Sequence, residues 1–138
     1  MISEIVLLAL QRATHATLQR LTSELAELEL PPAEINAMAI LGDGGVRAVS
    51  QLASAAGVRA STMTSVLDRL QKRGYVARST SAGDRRVVLV SLTEPGEAAA
   101  KLIRGTMGDL EKRALGNLPA SAIAGCQDVL RALSEAAE

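Results

Sequence analysis

Aromatic side chains are almost absent from this chain of 138 residues, in which Tyr75 is the only aromatic residue. Cysteine and histidine occur once each, at Cys126 and His15. One cysteine cannot form an internal disulfide, and the two residues together cannot supply the three or four ligands of a zinc site. We therefore expect no metal centre of this kind, and no motif in the sequence indicates a cofactor.

Long apolar runs are also lacking. The longest one spans residues 5–10, far short of the ~18 residues that a membrane-spanning helix needs. No Lys or Arg precedes Arg12 and no small-residue cleavage site follows the apolar run, so we expect no secretory signal. The apolar fraction of 48% is enough to bury one core. These features predict a single cytoplasmic domain without a membrane partner.

Familiar catalytic arrangements are missing as well. The sequence shows no Ser-His-Asp set, no paired carboxylates and no glycine-rich phosphate loop. A single histidine also provides little acid–base capacity near neutral pH. We therefore expect that the protein is not an enzyme.

Net charge is zero, because 15 basic residues balance 15 acidic ones, but the charges are unevenly distributed. Residues 1–43 contain two basic and six acidic groups, residues 44–86 contain eight and two, and residues 87–138 contain five and seven. The basic middle third suits a polyanionic partner such as nucleic acid. Charge alone leaves open the alternative of an ordinary solvated surface that happens to be basic.

Apolar periodicity and chain-breaking residues predict two helices at the start of the chain. Leucines repeat every three to four positions within residues 2–28, which indicates a long amphipathic helix that the Pro31-Pro32 pair terminates. A second helix begins near Ala33 and stops at the glycine-rich run that starts at Gly42. Residues 46–49 form a short apolar piece that could pair as a strand.

The next segment predicts two helices joined by a tight turn. Ser50 has the character of an N-cap for a short helix over residues 51–56, which Gly57 ends. A longer helix follows over about residues 60–73. This is the helix-turn-helix pattern, whose second helix can enter the major groove of DNA. The apolar positions of the second helix lie on one face and are predicted to be buried: Met63, Val66, Leu67 and Leu70.

The opposite face of the second helix carries short hydroxyl side chains first and cations later. Short side chains allow the start of the helix to approach base edges and phosphates, while longer cations reach bases or the flanking backbone. An ordinary amphipathic helix would explain the polarity, but not the absence of Lys and Glu from the first two turns. The residues on this face are Ser61, Thr62, Thr64, Ser65, Asp68, Arg69, Gln71, Lys72 and Arg73.

Two runs rich in β-branched residues, 75–80 and 87–92, predict a hairpin after the second helix. The loop between them carries Arg85 and Arg86. A basic hairpin in this position is a wing, which can lay arginines along the DNA backbone or in a narrow minor groove. We expect Asp84 to be a structural partner that orients one of these arginines.

Long helices are predicted at the end of the chain. Thr93 caps one that runs to about Gly116, and Pro119 starts another that runs to about Ala136. Terminal helices with long apolar faces have too little partner surface within a small subunit, so we expect a homodimer. Cys126 lies on the apolar face of the last helix and is expected to be a small packing residue.

Three segments resemble signatures of the MarR family (multiple antibiotic resistance regulators). They are residues 50–53 (SQLA), 67–76 (LDRLQKRGYV) and 84–96 (DRRVVLVSLTEPG), which are similar to the "LA", "LxxxG" and "DxRxxxxxLTxxG" patterns. The order of predicted elements extends the resemblance over essentially the whole chain.

The resemblance implies a mainly α fold with a small β-hairpin wing, a winged helix-turn-helix with long N- and C-terminal dimerisation helices. Residues 33–96 would form the DNA-binding lobe, and residues 1–30 and 97–138 the helical dimerisation region. The implied protein is a homodimeric regulator that binds pseudo-palindromic double-stranded DNA, usually as a repressor. A small-molecule effector often alters the DNA affinity of such regulators.

The resemblance also implies roles for individual residues. Asp84 and Arg86 match the wing pair, with Arg86 in the minor groove, and Arg85 and Arg73 would contact phosphates. The complete set of expected DNA-binding residues is Arg59, Ser61, Thr62, Thr64, Ser65, Arg69, Arg73, Arg85 and Arg86.

Two features narrow the expected ligand chemistry and one alternative function remains. The absence of Phe and Trp disfavours an effector that stacks on aromatic walls, and Cys126 is at the wrong end of the chain for the thiol sensing seen in part of the family. His15 is expected to be a solvated or packed helix residue.

The alternative to a DNA-binding regulator is a winged-helix module that contacts only protein, although the arginine-tipped hairpin argues against it.

Overall fold

A computed structural model describes residues 4–138 of the chain, so the predicted helix start at residue 2 lies outside the described residues. The chain divides into two compact units, the first ending at Met107 and the second comprising Gly108–Glu138. No helix among the described residues is long and apolar enough to cross a membrane.

The first helix, α1, spans Val6–Glu24, and a 3₁₀ turn follows at Ala26–Leu28. The prediction of one continuous helix to residue 28 was therefore too long. Leu25 and Leu30 are both buried, and a continuing α-helix would place residues five apart on different faces. The turn ends with Glu29 in the left-handed conformation (φ 52°), which allows both leucines to enter the core.

The second helix, α2, spans Pro32–Leu41. Proline is suited to the first helical position because its missing N–H would have no partner there. Ile35, Met38 and Leu41 are buried along this helix.

A small antiparallel sheet contains the predicted hairpin. Strand β2 (Val76–Thr80) pairs with strand β3 (Val88–Leu92), and the short strand β1 (Arg47–Ala48) pairs with the other edge of β3. Val76 and Val90 are buried, so one face of the sheet packs onto the core. The hairpin and the short strand before the helix-turn-helix were both predicted from the sequence.

The third helix, α3, spans Val49–Ala56 and begins directly after β1. The prediction that Ser50 is its N-cap was wrong, because Ala48 occupies that position. The strand ends at Ala48, so the helix starts two residues early, and the side chain of Gln51 accepts a hydrogen bond from the Ala48 N–H at 3.0 Å. Gly57 ends α3 in the left-handed conformation, as predicted (φ 72°).

The fourth helix, α4, spans Ala60–Lys72 and is the second helix of the helix-turn-helix. Its predicted apolar face is buried, with none of the four side chains more than 2% exposed. Gly74 follows in the left-handed conformation (φ 81°), and the Tyr75 N–H then bonds to the Leu70 carbonyl at 3.0 Å.

Thr93 caps the fifth helix, α5, which spans Glu94–Leu115. The Thr93 hydroxyl accepts a hydrogen bond from the Gly96 N–H at 3.1 Å and donates one to the Gly74 carbonyl at 2.6 Å. The predicted cap is therefore confirmed, and it also joins the turn after α4 to the start of α5. Ala99, Ala100 and Ile103 are the buried residues of α5 that follow.

The second unit contains the sixth helix, α6, which spans Ala120–Ala136 after the predicted start at Pro119. No residue of α6 is buried in the single chain. Val129 and Leu130 are 45% and 39% exposed, and Cys126 is exposed too. The apolar face predicted for this helix is therefore open to solvent in the isolated subunit.

Candidate nucleic-acid interface

The outer face of α4 is open to solvent along its whole length. All nine residues assigned to this face from the sequence are exposed. Thr64 donates its hydroxyl proton to the Ala60 carbonyl at 3.0 Å, and Ser65 donates to Ser61 at 3.4 Å. Their oxygens keep acceptor capacity outward. No partner is found for the hydroxyls of Ser61 and Thr62 within residues 4–138, so the first turns of α4 present short polar groups.

The wing tip is organised by Asp84. Its carboxylate accepts hydrogen bonds from the Arg86 backbone N–H at 2.9 Å and from the Arg86 guanidinium at 3.2 and 3.3 Å. These bonds hold the pKa of Asp84 below its usual range, and the bonds from the Arg86 side chain have a larger effect than the one from its backbone. The Arg86 side chain is nevertheless 91% exposed, so the contact orients the guanidinium without covering it.

Arg69, on the outer face of α4, is bonded to another helix of its own chain. Its Nε donates to Oε1 of Glu34 on α2, and the Glu34 side chain is 2% exposed while that of Arg69 is 55% exposed. Sequence analysis did not identify Glu34. The sequence did contain a signal for it: Glu34, Met38 and Leu41 are spaced at i, i+4 and i+7, which indicates one face of a helix and could have placed Glu34 on the buried face of α2.

Arg73 is directed toward the corner between α1 and α2. Its guanidinium donates to the carbonyls of Leu28 and Glu29 at 2.6 and 3.1 Å, and it lies 5.6 Å from the centre of the Tyr75 ring. These contacts satisfy two carbonyls at the end of the 3₁₀ turn. The phosphate contact expected of Arg73 would have to be made by the remaining donors of its guanidinium.

Arg78, on β2, links the wing to α4. Its guanidinium donates to Gln71 at 2.7 Å and to Asp68 at 2.6 Å. The sequence placed Arg78 within the basic third but did not predict this pairing. Two polar residues of the outer face are thereby used to fix the hairpin against the helix.

The basic residues of the middle third therefore fall into two groups. Arg47, Arg69, Arg73 and Arg78 bind acceptors within the chain, Arg47 through Asp43 at 3.2 Å. Within residues 4–138, Arg59, Lys72 and Arg85 have no hydrogen bond or ion pair, and Arg86 pairs only with its neighbour Asp84. The cations that remain available lie at the start and end of α4 and on the wing.

Two concave sites lie away from α4, both within the first unit. One of about 600 Å³ is bounded by the end of α2, by β3 and by α5, and Lys101 and Arg104 line it. Another of about 480 Å³ includes His15, Leu18 and Pro32. No group of acidic, histidine or cysteine residues among residues 4–138 is arranged to hold a metal ion.

An exposed recognition helix, preceded by a short helix and followed by an arginine-tipped hairpin, defines a winged helix-turn-helix protein. The MarR family model matches residues 30–88. A solved MarR family transcriptional regulator from Silicibacter pomeroyi DSS is 30% identical, with a TM-score of 0.77 over 91% of this chain and 84% of that one. The chain belongs to the MarR family.

Two relatives from Bacillus subtilis (strain 168) are similar over a shorter region. The uncharacterized helix-turn-helix-type regulator YfiV is 40% identical over 83 residues, which is 60% of this chain and 50% of YfiV. The transcriptional repressor MdtR is 33% identical over 92 residues, which is 64% of this chain and 59% of MdtR. The matched region thus spans between half and three fifths of these relatives.

Proposed function

We propose that the protein is a dimeric transcriptional regulator that binds double-stranded DNA in a sequence-specific manner. One observation carries this proposal: the hydroxyl-rich outer face of α4 and the wing arginine Arg86 are both exposed, and Asp84 holds that arginine in place. The proposed activity is binding, with no catalytic step.

The proposed contacts follow from side-chain length. Ser61, Thr62 and Ser65 are short and lie on the first turns of α4, where close approach to base edges in the major groove is possible. Arg59 and Arg85 have guanidinium groups without partners in the described chain and are suited to phosphates. Arg86 would enter the minor groove, whose negative potential attracts arginine where the groove is narrow.

A second copy of the chain is part of the proposal. The first turn of α1 exposes Leu7 and Leu8 by 49% and 56%, and α6 has no buried residue. Exposed apolar surfaces of this kind are typical of faces that another subunit covers. Two copies related by a two-fold axis would present their recognition helices about 34 Å apart, to successive major grooves of one duplex.

The proposal includes repression as the direction of regulation and the cytoplasm as the place of action. Repression is supported by the name of the relative MdtR, which is a transcriptional repressor. A small-molecule effector would have two concave sites available in the first unit, neither lined by an aromatic residue. A regulator of transcription acts where the chromosome is, which in a bacterium is the cytoplasm.

The proposal is tested by measuring the affinity of the purified protein for DNA at several salt concentrations. Enrichment of random duplexes on the protein would give the preferred site and the spacing of its halves, and fluorescence anisotropy would compare that site with a scrambled duplex. We expect clear preference for a two-fold symmetric site. Equal affinity for both duplexes would contradict the proposal, and failure to bind DNA together with a co-purifying protein would favour the protein-interaction module.

A further inference from the structure

Glu34 is the one charged or polar side chain that is buried in the described part of the chain, at 2% exposure. Its oxygen Oε1 accepts the Nε–H of Arg69, while Oε2 is buried without a hydrogen-bond partner. A buried carboxylate is costly unless it is paired. The bond to Arg69 is therefore the contact that compensates the charge of Glu34 within the core.

Arg69 uses this bond to connect the recognition helix to α2. The four apolar side chains that pack α4 against the core are held by contacts without strong directional preference. A charge-assisted hydrogen bond is directional, and this one ties the face of α4 that carries Arg69 to a buried acceptor on α2. The pair thus resists rotation of α4 about its own axis.

Rotation matters here because the outward groups of α4 are short. A hydroxyl one bond from Cβ reaches a base edge only if the helix backbone is placed correctly, since N–H···O hydrogen bonds require distances of about 2.7–3.2 Å. Long arginines that contact phosphates can compensate for small displacements by changing rotamer. A loosened α4 would therefore lose sequence preference before it loses general affinity for DNA.

We propose that Arg69 is a positioning residue, which together with Glu34 fixes the rotation of the recognition helix and so sets sequence specificity without reading bases itself. This inference rests on the proposed DNA-binding function. It assigns base recognition on α4 to Ser61, Thr62 and Ser65.

Substitution of Glu34 tests this inference, because a buried residue on α2 cannot itself touch DNA. Glu34→Met removes the acceptor and leaves Arg69 free to turn outward. We expect the ratio of affinities for the preferred and scrambled duplexes to fall by on the order of tenfold, similar to the loss of one base contact. Glu34→Gln keeps an acceptor for the Arg69 N–H and should retain most of the ratio.

Two further variants complete the experiment. Met38→Leu is the matched control on the same buried face of α2, and it should leave the ratio unchanged. The double variant Glu34→Met with Arg69→Leu replaces the ion pair by apolar side chains of similar size, which such sites often tolerate. It should fold but lose specificity as Glu34→Met does, because apolar contacts do not restore the directional bond, and it serves as the test if the single variant fails to fold.

Circular dichroism and thermal unfolding would establish that each variant is folded at the temperature of the binding measurement. An unchanged or higher ratio in folded Glu34→Met would overturn the inference, because specificity would then not depend on the Glu34–Arg69 bond. Full specificity in the folded double variant would overturn it as well. A wild-type protein without sequence preference would instead refute the proposed function.

Discussion

Arg86 combines two properties that are seldom found together in one side chain, namely near-complete exposure and a fixed direction. Its side chain is 91% exposed, but the guanidinium is bonded twice to Asp84. Side-chain ordering is a large cost of binding for a long residue. Because Asp84 has already limited the rotamers of Arg86, less of that cost remains when DNA binds.

Arg86→Ala should therefore weaken binding to the preferred duplex by on the order of tenfold. Arg131→Ala is a suitable control, because Arg131 is also an exposed arginine paired with a nearby aspartate, but it lies on α6. Anisotropy titrations of both variants at one salt concentration would measure the difference. Equal affinities for the two would remove the wing from the binding mechanism.

The bond to Arg86 also predicts how Asp84 titrates. Its pKa lies below the usual carboxyl range because the ionised form accepts the Arg86 bonds. A carboxyl whose folded-state pKa is lowered stabilises the fold above its ordinary pKa, and this contribution is lost as the pH falls through the lowered value. NMR titration of the Asp84 carboxyl carbon should find this low pKa, and Arg86→Gln should raise it toward the ordinary value. A normal pKa in the wild-type protein would contradict the structure of the wing tip.

At the scale of elements, the junction between α4, the hairpin and α5 depends on one glycine. A Cβ at Gly96 would lie 1.9 Å from the Tyr75 carbonyl oxygen, whereas a Cβ at Gly105, in the same helix, would meet no atom within 4 Å. The first contact is impossible without moving the backbone, while the second position is open. The glycine of the "LTxxG" signature therefore has a packing role.

Gly96→Ala should accordingly lower the free energy of unfolding by about 3 kcal/mol, in the range of backbone clashes and overpacking. Gly105→Ala, the matched control, should raise it by about 0.5–1 kcal/mol because alanine favours a helix interior. Chemical denaturation monitored by circular dichroism would measure both. A Gly96→Ala protein as stable as the wild type would mean that Tyr75 and α5 are not in contact as described.

The sequence allowed most elements to be predicted, and the failures have physical reasons. Proline and glycine mark the ends of α2, α3 and α4, since each residue type has a backbone preference that can be recognised locally. The end of α1 was missed because it depends on burying Leu25 and Leu30 together, which is a tertiary requirement. The Glu34–Arg69 bond joins residues 35 positions apart, and no local pattern indicates which acid faces which arginine.

At the scale of the whole molecule, pairing within the chain limits the charge that can act on DNA. The middle third holds eight basic residues. Arg47, Arg69 and Arg78 are paired with carboxylates of the same chain, whereas Arg73 is bonded to neutral carbonyls and keeps its charge. Five basic residues of this third then remain in each subunit of the proposed dimer to neutralise phosphates, with Arg73 among them. Electrostatic affinity for DNA depends on this smaller number.

The salt dependence of DNA binding gives the final prediction. The logarithm of the binding constant falls with the logarithm of salt concentration by roughly 0.9 for each phosphate contact, so ten available cations in a dimer set a limit of about −9 for the slope. Arg85→Ala should make the slope shallower by about two, one for each subunit, and Arg131→Ala should leave it unchanged. Titrations between 50 and 200 mM salt would measure these slopes. A wild-type slope much steeper than the limit would show that the paired arginines turn outward when DNA binds. The Glu34–Arg69 bond argues against this outcome, because release of Arg69 would leave a carboxylate uncompensated in the core.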